Sequence, residues 1–166
     1  MRIVEGTSEN HVTFYPASVD ATRVPRELAG LRTMFTSFHH FSQEEARAIL
    51  QDAVDAGECI GTFEISRRAP LTVLFTFAFA FALVVGTPWI RPFRWSRLLW
   101  TYLIPIIPLV LLFDGVVSCL RTYRPQELRN MVAQLKAPEY QWEIGEDLTA
   151  RAAITYLIGY PQVHVA

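Results

Sequence analysis

Two long uncharged stretches dominate the middle of this 166-residue chain. Residues 69–90 form the first, of 22 residues, and residues 98–113 form the second, of 16, which ends at Asp114. A helix needs roughly 20 apolar residues to cross a bilayer, so the first stretch is long enough, and the second reaches that length only by running through Asp114. The pattern predicts an apolar helical hairpin, either in contact with lipid or buried or covered by a partner.

Four phenylalanines alternate with small residues inside the first stretch. In a strand, Phe75, Phe77, Phe79 and Phe81 would all lie on one face. In a helix, Phe75 and Phe79 share a face, and the other two lie nearly opposite. A helix that is apolar all round belongs in lipid or deep in a large protein, so the length and composition favour lipid. The arginines at both ends of the hairpin are compatible with two full spans and with a hairpin lying in one leaflet.

The flanking segments have the periodicities of α/β structure. Strand-like runs rich in branched and aromatic residues occur at residues 12–15, 33–38, 59–65, 140–144 and 154–159. Ser42 and Glu45 have the spacing of a capping box, an apolar stripe follows them, and Gly57 supplies a helix stop. Pro125 begins another predicted helix. Strand, helix and strand joined by short connections imply a right-handed parallel unit.

This order of elements, with particular residues in it, resembles the C-terminal half of a class I S-adenosylmethionine-dependent methyltransferase. Three segments carry the resemblance. Residues 19–25 resemble the acidic turn after the family's third strand. Residues 35–41, which include His39 and His40, resemble the fourth strand and its end, and residues 60–64 resemble the fifth strand.

The resemblance implies an α/β fold with a partial Rossmann-like sheet, mostly parallel with an antiparallel edge, and an inserted apolar helical hairpin. Residues 1–66 would form the partial Rossmann-like half. Residues 67–121 would form the hairpin, and residues 122–166 would add a helix and the edge strands of the same α/β domain. The family's Gly-rich turn is not found in this chain, which contains no G-x-G-x-x-G sequence. We therefore expect a chain that is truncated at its start and inactive alone.

The candidate site residues follow partly from the resemblance and partly from position. The resemblance implies that Asp20 and Ala21 bind the cofactor S-adenosylmethionine at its adenine, and that His39 or His40 acts at methyl transfer. Glu64 ends a strand and Asp114 is ionisable beside an apolar run, so both are candidate substrate residues. Each candidate also has a purely structural interpretation. Asp20 can be a solvated turn residue, and one of the two histidines can pack or cap the following helix. Glu64 can be a solvated strand end, and Asp114 can mark the end of the apolar segment.

Composition excludes several other classes of protein. The 15 basic and 16 acidic residues give a net charge of −1, which offers no basic surplus for binding nucleic acid. Cys59 and Cys119 lie far apart and near no histidine, so neither a disulfide framework nor a metal site is expected. A hydrophobic fraction of 51% excludes a disordered chain.

Two functions fit these observations. The first is a membrane-associated methyltransferase-like protein, with its soluble part in the cytoplasm and a small-molecule or lipid-like methyl acceptor. The second is a non-enzymatic small integral membrane protein with two hydrophobic segments and an accessory α/β domain.

Overall fold

The computed structural model describes residues 15–65, 68–147 and 153–162, and these form a mixed α/β structure with a four-stranded sheet. In spatial order the strands are β1 (Arg32–Phe35), β2 (Ile60–Glu64), β4 (Ile154–Pro161) and β3 (Tyr140–Asp147). β1 and β2 pair parallel, whereas β4 is antiparallel to both of its neighbours. Three of these four strands, β1, β2 and β3, therefore run in the same direction, and β4 alone runs against them. The sheet is mixed, with the antiparallel pairings at its β4–β3 edge, as predicted.

Helix α1 (Gln43–Ala56) connects β1 to β2, and its predicted ends are confirmed. The Ser42 hydroxyl accepts from the Glu45 amide at 3.3 Å, and the Glu45 carboxylate accepts from the Ser42 amide at 2.8 Å. These bonds hold the pKa of Glu45 below its ordinary value. Gly57 ends the helix in the left-handed region, at φ 68°, where glycine has no steric penalty.

The second predicted strand is shorter than the sequence pattern suggests. β1 ends at Phe35, and Thr36 then takes φ 46°, which breaks the extended backbone. The chain continues into a 3₁₀ turn, Phe38–His40, that starts the approach to α1. The first predicted strand, at residues 12–15, falls almost entirely outside the described residues.

The core lies between the sheet, α1 and α5 (Pro125–Val132). The apolar stripe of α1 supplies four of its members, and α5 supplies two more from its inner face. The buried cluster consists of Phe38, Ala46, Ile49, Leu50, Ala53, Ile60, Tyr123, Leu128, Met131 and Leu157. β4 contributes to this cluster between β2 and β3, so the segments before and after the hairpin share one sheet and one core.

The apolar middle of the chain is a helical hairpin. α2 (Pro70–Gly86) runs on through a 3₁₀ turn, so that Pro70–Trp89 is one helix of 20 residues. The return begins with α3 (Trp95–Leu98) and a π-helical turn, Leu99–Leu103, and continues as α4 (Ile106–Arg121) after a bend of 67°. The helical interpretation of the phenylalanine-rich stretch is thus the correct one.

α2 and α4 approach each other closely through small residues. A Cβ atom on Gly115 would lie 2.4 Å from Cγ2 of Thr76, so only glycine fits at this crossing. Ala80 and Cys119 are buried in the same contact. Small side chains at a helix crossing are typical of helices that pack by close backbone approach, as in membranes.

Most of the hairpin surface is not covered by the rest of the described chain. Only 11% of the most apolar part of the Pro70–Trp89 helix is buried. Phe81 and Phe113 are 70% and 72% exposed. A contiguous apolar surface of this kind requires lipid or a partner, because water would oppose its exposure. Burial of the hairpin within the described chain is therefore excluded.

Tyr140 provides a test of packing in the antiparallel half of the sheet. Its hydroxyl donates to the Glu58 carbonyl at 2.5 Å, and burial raises its pKa to about 12. The pKa in the folded state thus exceeds the unfolded value of about 10, so the contribution to stability is complete below about pH 10 and is lost as the pH rises towards about 12. We expect the free energy of unfolding to fall across that interval.

The change Tyr140→Phe should cost about 1 kcal/mol at neutral pH through the lost hydrogen bond, and it should flatten the alkaline decline. Chemical denaturation followed by circular dichroism at several alkaline pH values measures both effects. Tyr15→Phe, at an exposed position, is the matched control. Equal declines in wild type and Tyr140→Phe would contradict the assignment.

Candidate functional site

Glu64, the last residue of β2, is a buried acceptor for the turn that follows β1. Its Oε1 accepts from the amides of Phe38 and His39 at 2.7 and 3.3 Å. Its Oε2 lies 2.7 Å from Nδ1 of His39, and both side chains are nearly inaccessible, at 5% and 6%. The solvated strand end considered from the sequence is therefore wrong, because the carboxylate holds the turn against the end of the neighbouring strand.

His39 receives a defined orientation from this carboxylate. With Nδ1 donating to Glu64, the neutral imidazole carries its free lone pair on Nε2. Among the described residues, Nε2 is buried and has no hydrogen-bond partner. An unpartnered buried polar atom is costly in a folded protein. His39 is therefore a candidate for contact with a ligand that supplies a hydrogen-bond donor.

His40 differs from its neighbour in exposure and in contacts. It is exposed, and its ring lies against the ring of His39 with centroids 4.3 Å apart. Its carbonyl accepts from Arg121 at the end of α4, at 2.8 Å. Tyr123 donates to the Phe41 carbonyl at 2.8 Å, and burial raises its pKa. The returning end of the hairpin is thus fixed to the histidine turn.

Thr36 occupies a sterically unusual backbone conformation beside this turn. Its φ of 46° lies in the left-handed region, where a β-branched residue is an outlier. The Thr36 amide donates to the Phe63 carbonyl at 2.8 Å, which continues the β1–β2 ladder by one bond. Backbone strain of this kind tends to occur at functional sites, where surrounding structure holds it in place.

A cavity of about 510 Å³ lies between the histidine turn and the hairpin. Its polar lining consists of Thr36, His39, His40, Thr72, Thr76, Asp114 and Ser118. Its remaining lining is Ile65, Phe75, Phe79, Ala80, Leu111, Gly115 and Cys119. Neither lysine nor arginine lines it, so Asp114 is the charged residue of the lining apart from any charge on the histidines.

The predicted site residues fall into two groups. His39, His40 and Asp114 line the cavity, whereas Glu64 lies behind His39 and does not line it. Asp20 and Ala21 also lie outside the lining. The Asp20 Oδ1 accepts from the amide and hydroxyl of Thr22, both at 2.8 Å, and these bonds lower its pKa. Ala21 packs against the core.

The hairpin contributes polar cavity residues that sequence reasoning missed. Thr72 and Thr76 lie four residues apart on α2, and Asp114 and Ser118 lie four residues apart on α4. Residues at this spacing share a helix face. The sequence signal that could have revealed this site is a pair of polar residues on one face of each of two otherwise apolar helices.

The described residues offer no metal site, because no group of three His, Cys, Asp or Glu side chains in residues 15–65, 68–147 and 153–162 is placed to hold an ion. Comparison with protein-family models, with curated proteins and with solved structures finds no match to this chain. The site is therefore interpreted from its own geometry.

The change Glu64→Gln tests the orientation of His39. An amide NH₂ facing Nδ1 requires that nitrogen to accept, so the proton moves to Nε2 and the free lone pair is lost from the ligand side. Nitrogen NMR of isotopically labelled histidine in lipid nanodiscs reports the change of tautomer directly. We expect the Nε2 signal of His39 to move from the unprotonated to the protonated range.

Glu58→Gln is the matched control, because the Glu58 carboxylate accepts from the backbone amide of Gly30 and is not bonded to a histidine. The control should leave the His39 spectrum unchanged. An identical Nε2 signal in wild type and Glu64→Gln would show that Glu64 does not set the tautomer.

Proposed function

We propose that this chain is the acceptor-side part of an S-adenosylmethionine-dependent methyltransferase of Rossmann-like fold, with a hairpin that lies in a membrane. The observation that carries the proposal is the His39–Glu64 pair at the carboxyl ends of two adjacent parallel strands. In α/β sheets, ligands bind outside those strand ends. The strained Thr36 and the unpartnered Nε2 lie at the same edge.

The arrangement of the sheet supports the proposed fold. β1, α1 and β2 form the parallel unit assigned to the family's fourth and fifth strands. An antiparallel pair then completes the edge, as the resemblance implies. No G-x-G-x-x-G turn occurs in the 166 residues, so only the adenine side of a cofactor site is assigned to this chain.

Asp20 has the donor set that the adenine end of the cofactor requires. One of its carboxylate oxygens holds Thr22, and its lowered pKa keeps the group ionised at neutral pH. The second oxygen can accept a hydrogen from an adenine amino group.

S-adenosylmethionine, when bound, supplies an activated methyl group for direct displacement. The contribution of this chain is to align an acceptor and to receive its proton. Nε2 of His39 is the atom placed to take that proton, and the Glu64 carboxylate at 2.7 Å stabilises the positive charge that follows. His40 packs against the His39 ring and limits its rotation.

The hairpin supports a membrane-resident, lipid-like acceptor. A 20-residue helix is about 30 Å long, which matches the hydrocarbon thickness of a bilayer. Exposed Trp89, Trp95 and Tyr102 gather at the turn of the hairpin, where interfacial aromatic residues are expected. On this proposal the α/β part faces the cytoplasm, and the acceptor reaches the histidines from the lipid side.

The alternative of a non-enzymatic membrane anchor accounts for Glu64 as the acceptor that holds the turn, but not for the buried Nε2 of His39, which has no partner among the described residues. A buried polar atom without a hydrogen-bond partner is costly in a folded protein. A substrate that donates a hydrogen bond to Nε2 would satisfy that atom. We therefore favour the enzyme over the anchor.

The cofactor assignment predicts weak binding confined to one end of the ligand. We expect a Kd for S-adenosylmethionine weaker than about 100 µM, because the described residues offer only the adenine contact. Calorimetry on the full chain in nanodiscs gives the affinity, and amide NMR locates the contact at Asp20 and Ala21. Micromolar affinity would contradict the partial site, and unchanged Asp20 and Ala21 signals would remove the cofactor assignment.

Asp20→Asn is the informative variant. Its carbonyl oxygen can keep the Thr22 bonds, while its NH₂ faces the adenine amino group donor to donor, so the shifts at residues 20 and 21 should disappear. Asp55→Asn, on the exposed side of α1, should leave them in place.

The membrane assignment predicts that the full chain stays in the membrane pellet after alkaline extraction. Insertion of an apolar helix of 20 residues is effectively irreversible under such washing. Release into the supernatant would indicate that a protein partner covers the exposed phenylalanines. A soluble protein co-expressed in the same cells serves as the control for complete extraction.

A further inference from the structure

The cavity extends along the hairpin to the depth of about one leaflet. Its lining on α2 runs from Thr72 to Ala80, and its lining on α4 runs from Leu111 to Cys119. Eight residues of helix advance about 12 Å, close to the ~15 Å of half a bilayer core. An alkyl chain in one leaflet can therefore lie along this face of the hairpin, beside the contact between the two helices.

The two ends of the cavity differ in chemistry. Phe75, Phe79 and Leu111 provide apolar walls along the hairpin, and the histidine turn closes the other end. Asp114 lies seven residues before Arg121, so it sits about 10 Å along α4 from the turn. Asp114 in the lining would repel a phosphate head, no lysine or arginine lines the cavity, and Arg121 beside the histidine turn already donates to the His40 carbonyl.

The polar lining of the cavity contains hydrogen-bond acceptors that a donor on a ligand would satisfy. Nε2 of His39 offers a buried lone pair without a partner among the described residues. The Asp114 carboxylate offers acceptors in the same lining. The Thr76 hydroxyl already donates to the Thr72 carbonyl at 3.1 Å. A hydroxyl on a ligand can donate its one hydrogen to Nε2 of His39, and an ester or a hydrocarbon cannot.

We propose that this cavity admits, from the side of the bilayer, an uncharged lipid whose head bears a hydroxyl group, and excludes phosphate-headed lipids. The inference deepens the proposed function by naming the class of acceptor, and it depends on that function only for the subsequent methyl transfer. Binding itself requires the histidine turn and the phenylalanine wall, and the exclusion of phosphate requires Asp114.

The test uses the full chain in nanodiscs and three probes with the same alkyl chain. They are para-dodecylphenol, dodecylbenzene and dodecyl phosphate. Nitrogen NMR of labelled histidine is expected to show a saturable shift of the His39 Nε2 signal with the phenol alone. Absence of that shift, or an equal shift with dodecyl phosphate, would overturn the proposal.

Phe79→Ala and Phe77→Ala form a matched pair on one helix. Both side chains are largely exposed, at 64% and 50%, but only Phe79 lines the cavity. We expect Phe79→Ala to weaken phenol binding about tenfold and Phe77→Ala to leave it within about twofold. Equal weakening by the two variants would indicate general partitioning into the bilayer and would overturn the site.

Asp114→Asn tests the basis of selectivity. Removing the negative charge should raise the affinity for dodecyl phosphate several-fold while the phenol remains bound, and an unchanged preference would contradict the role given to Asp114. If the chain binds the phenol with the expected preference but does not contact S-adenosylmethionine, the lipid site is supported and the proposed methyltransferase function is contradicted. If S-adenosylmethionine contacts Asp20 but the phenol does not bind, the cofactor assignment is supported and the lipid site is contradicted.

Discussion

The buried carboxylate of Glu64 is the interaction on which the rest of the site depends. It joins the end of β2 to the turn after β1 through two backbone amides and the His39 imidazole. A charge taken out of water must be met by hydrogen bonds, and three converge on this one. Arg121 then bonds to the same turn through the His40 carbonyl. Strand ends, histidines and the base of the hairpin consequently hold their positions together.

The apolar surface of the hairpin is a second constraint, and it acts independently of the first. The two helices satisfy their own backbone groups, so they need lipid or a partner only for their side chains. Their mutual contact is small in side-chain volume, with Gly115 against Thr76 and Cys119 buried beside them. The larger Phe75 and Phe79 remain mostly exposed beside this crossing, and both line the cavity.

The sequence was informative where a local rule decides the structure. The Ser42–Glu45 box and Gly57 fixed both ends of α1, because capping depends on neighbouring residues alone. The four alternating phenylalanines did not decide between strand and helix. They would share one face of a strand, but a helix that is apolar all round also accommodates them on opposite faces. The burial of Glu64 could not be predicted, because a strand-end carboxylate is usually solvated and its partner lies 25 residues away in the chain. The order of the strands could not be predicted for the same reason, because β4 pairs with β2 through residues far apart in the sequence.

The location of the cavity follows from connectivity. β2 ends at Glu64, and α2 begins six residues later at Pro70, so the hairpin must leave from the edge of the sheet at which parallel strands end. α4 returns to that edge and passes directly into α5. The connectivity alone therefore brings the polar site at the strand ends next to the apolar surface of the hairpin. On the function proposed above, a water-soluble methyl donor and an apolar acceptor approach this junction from opposite sides.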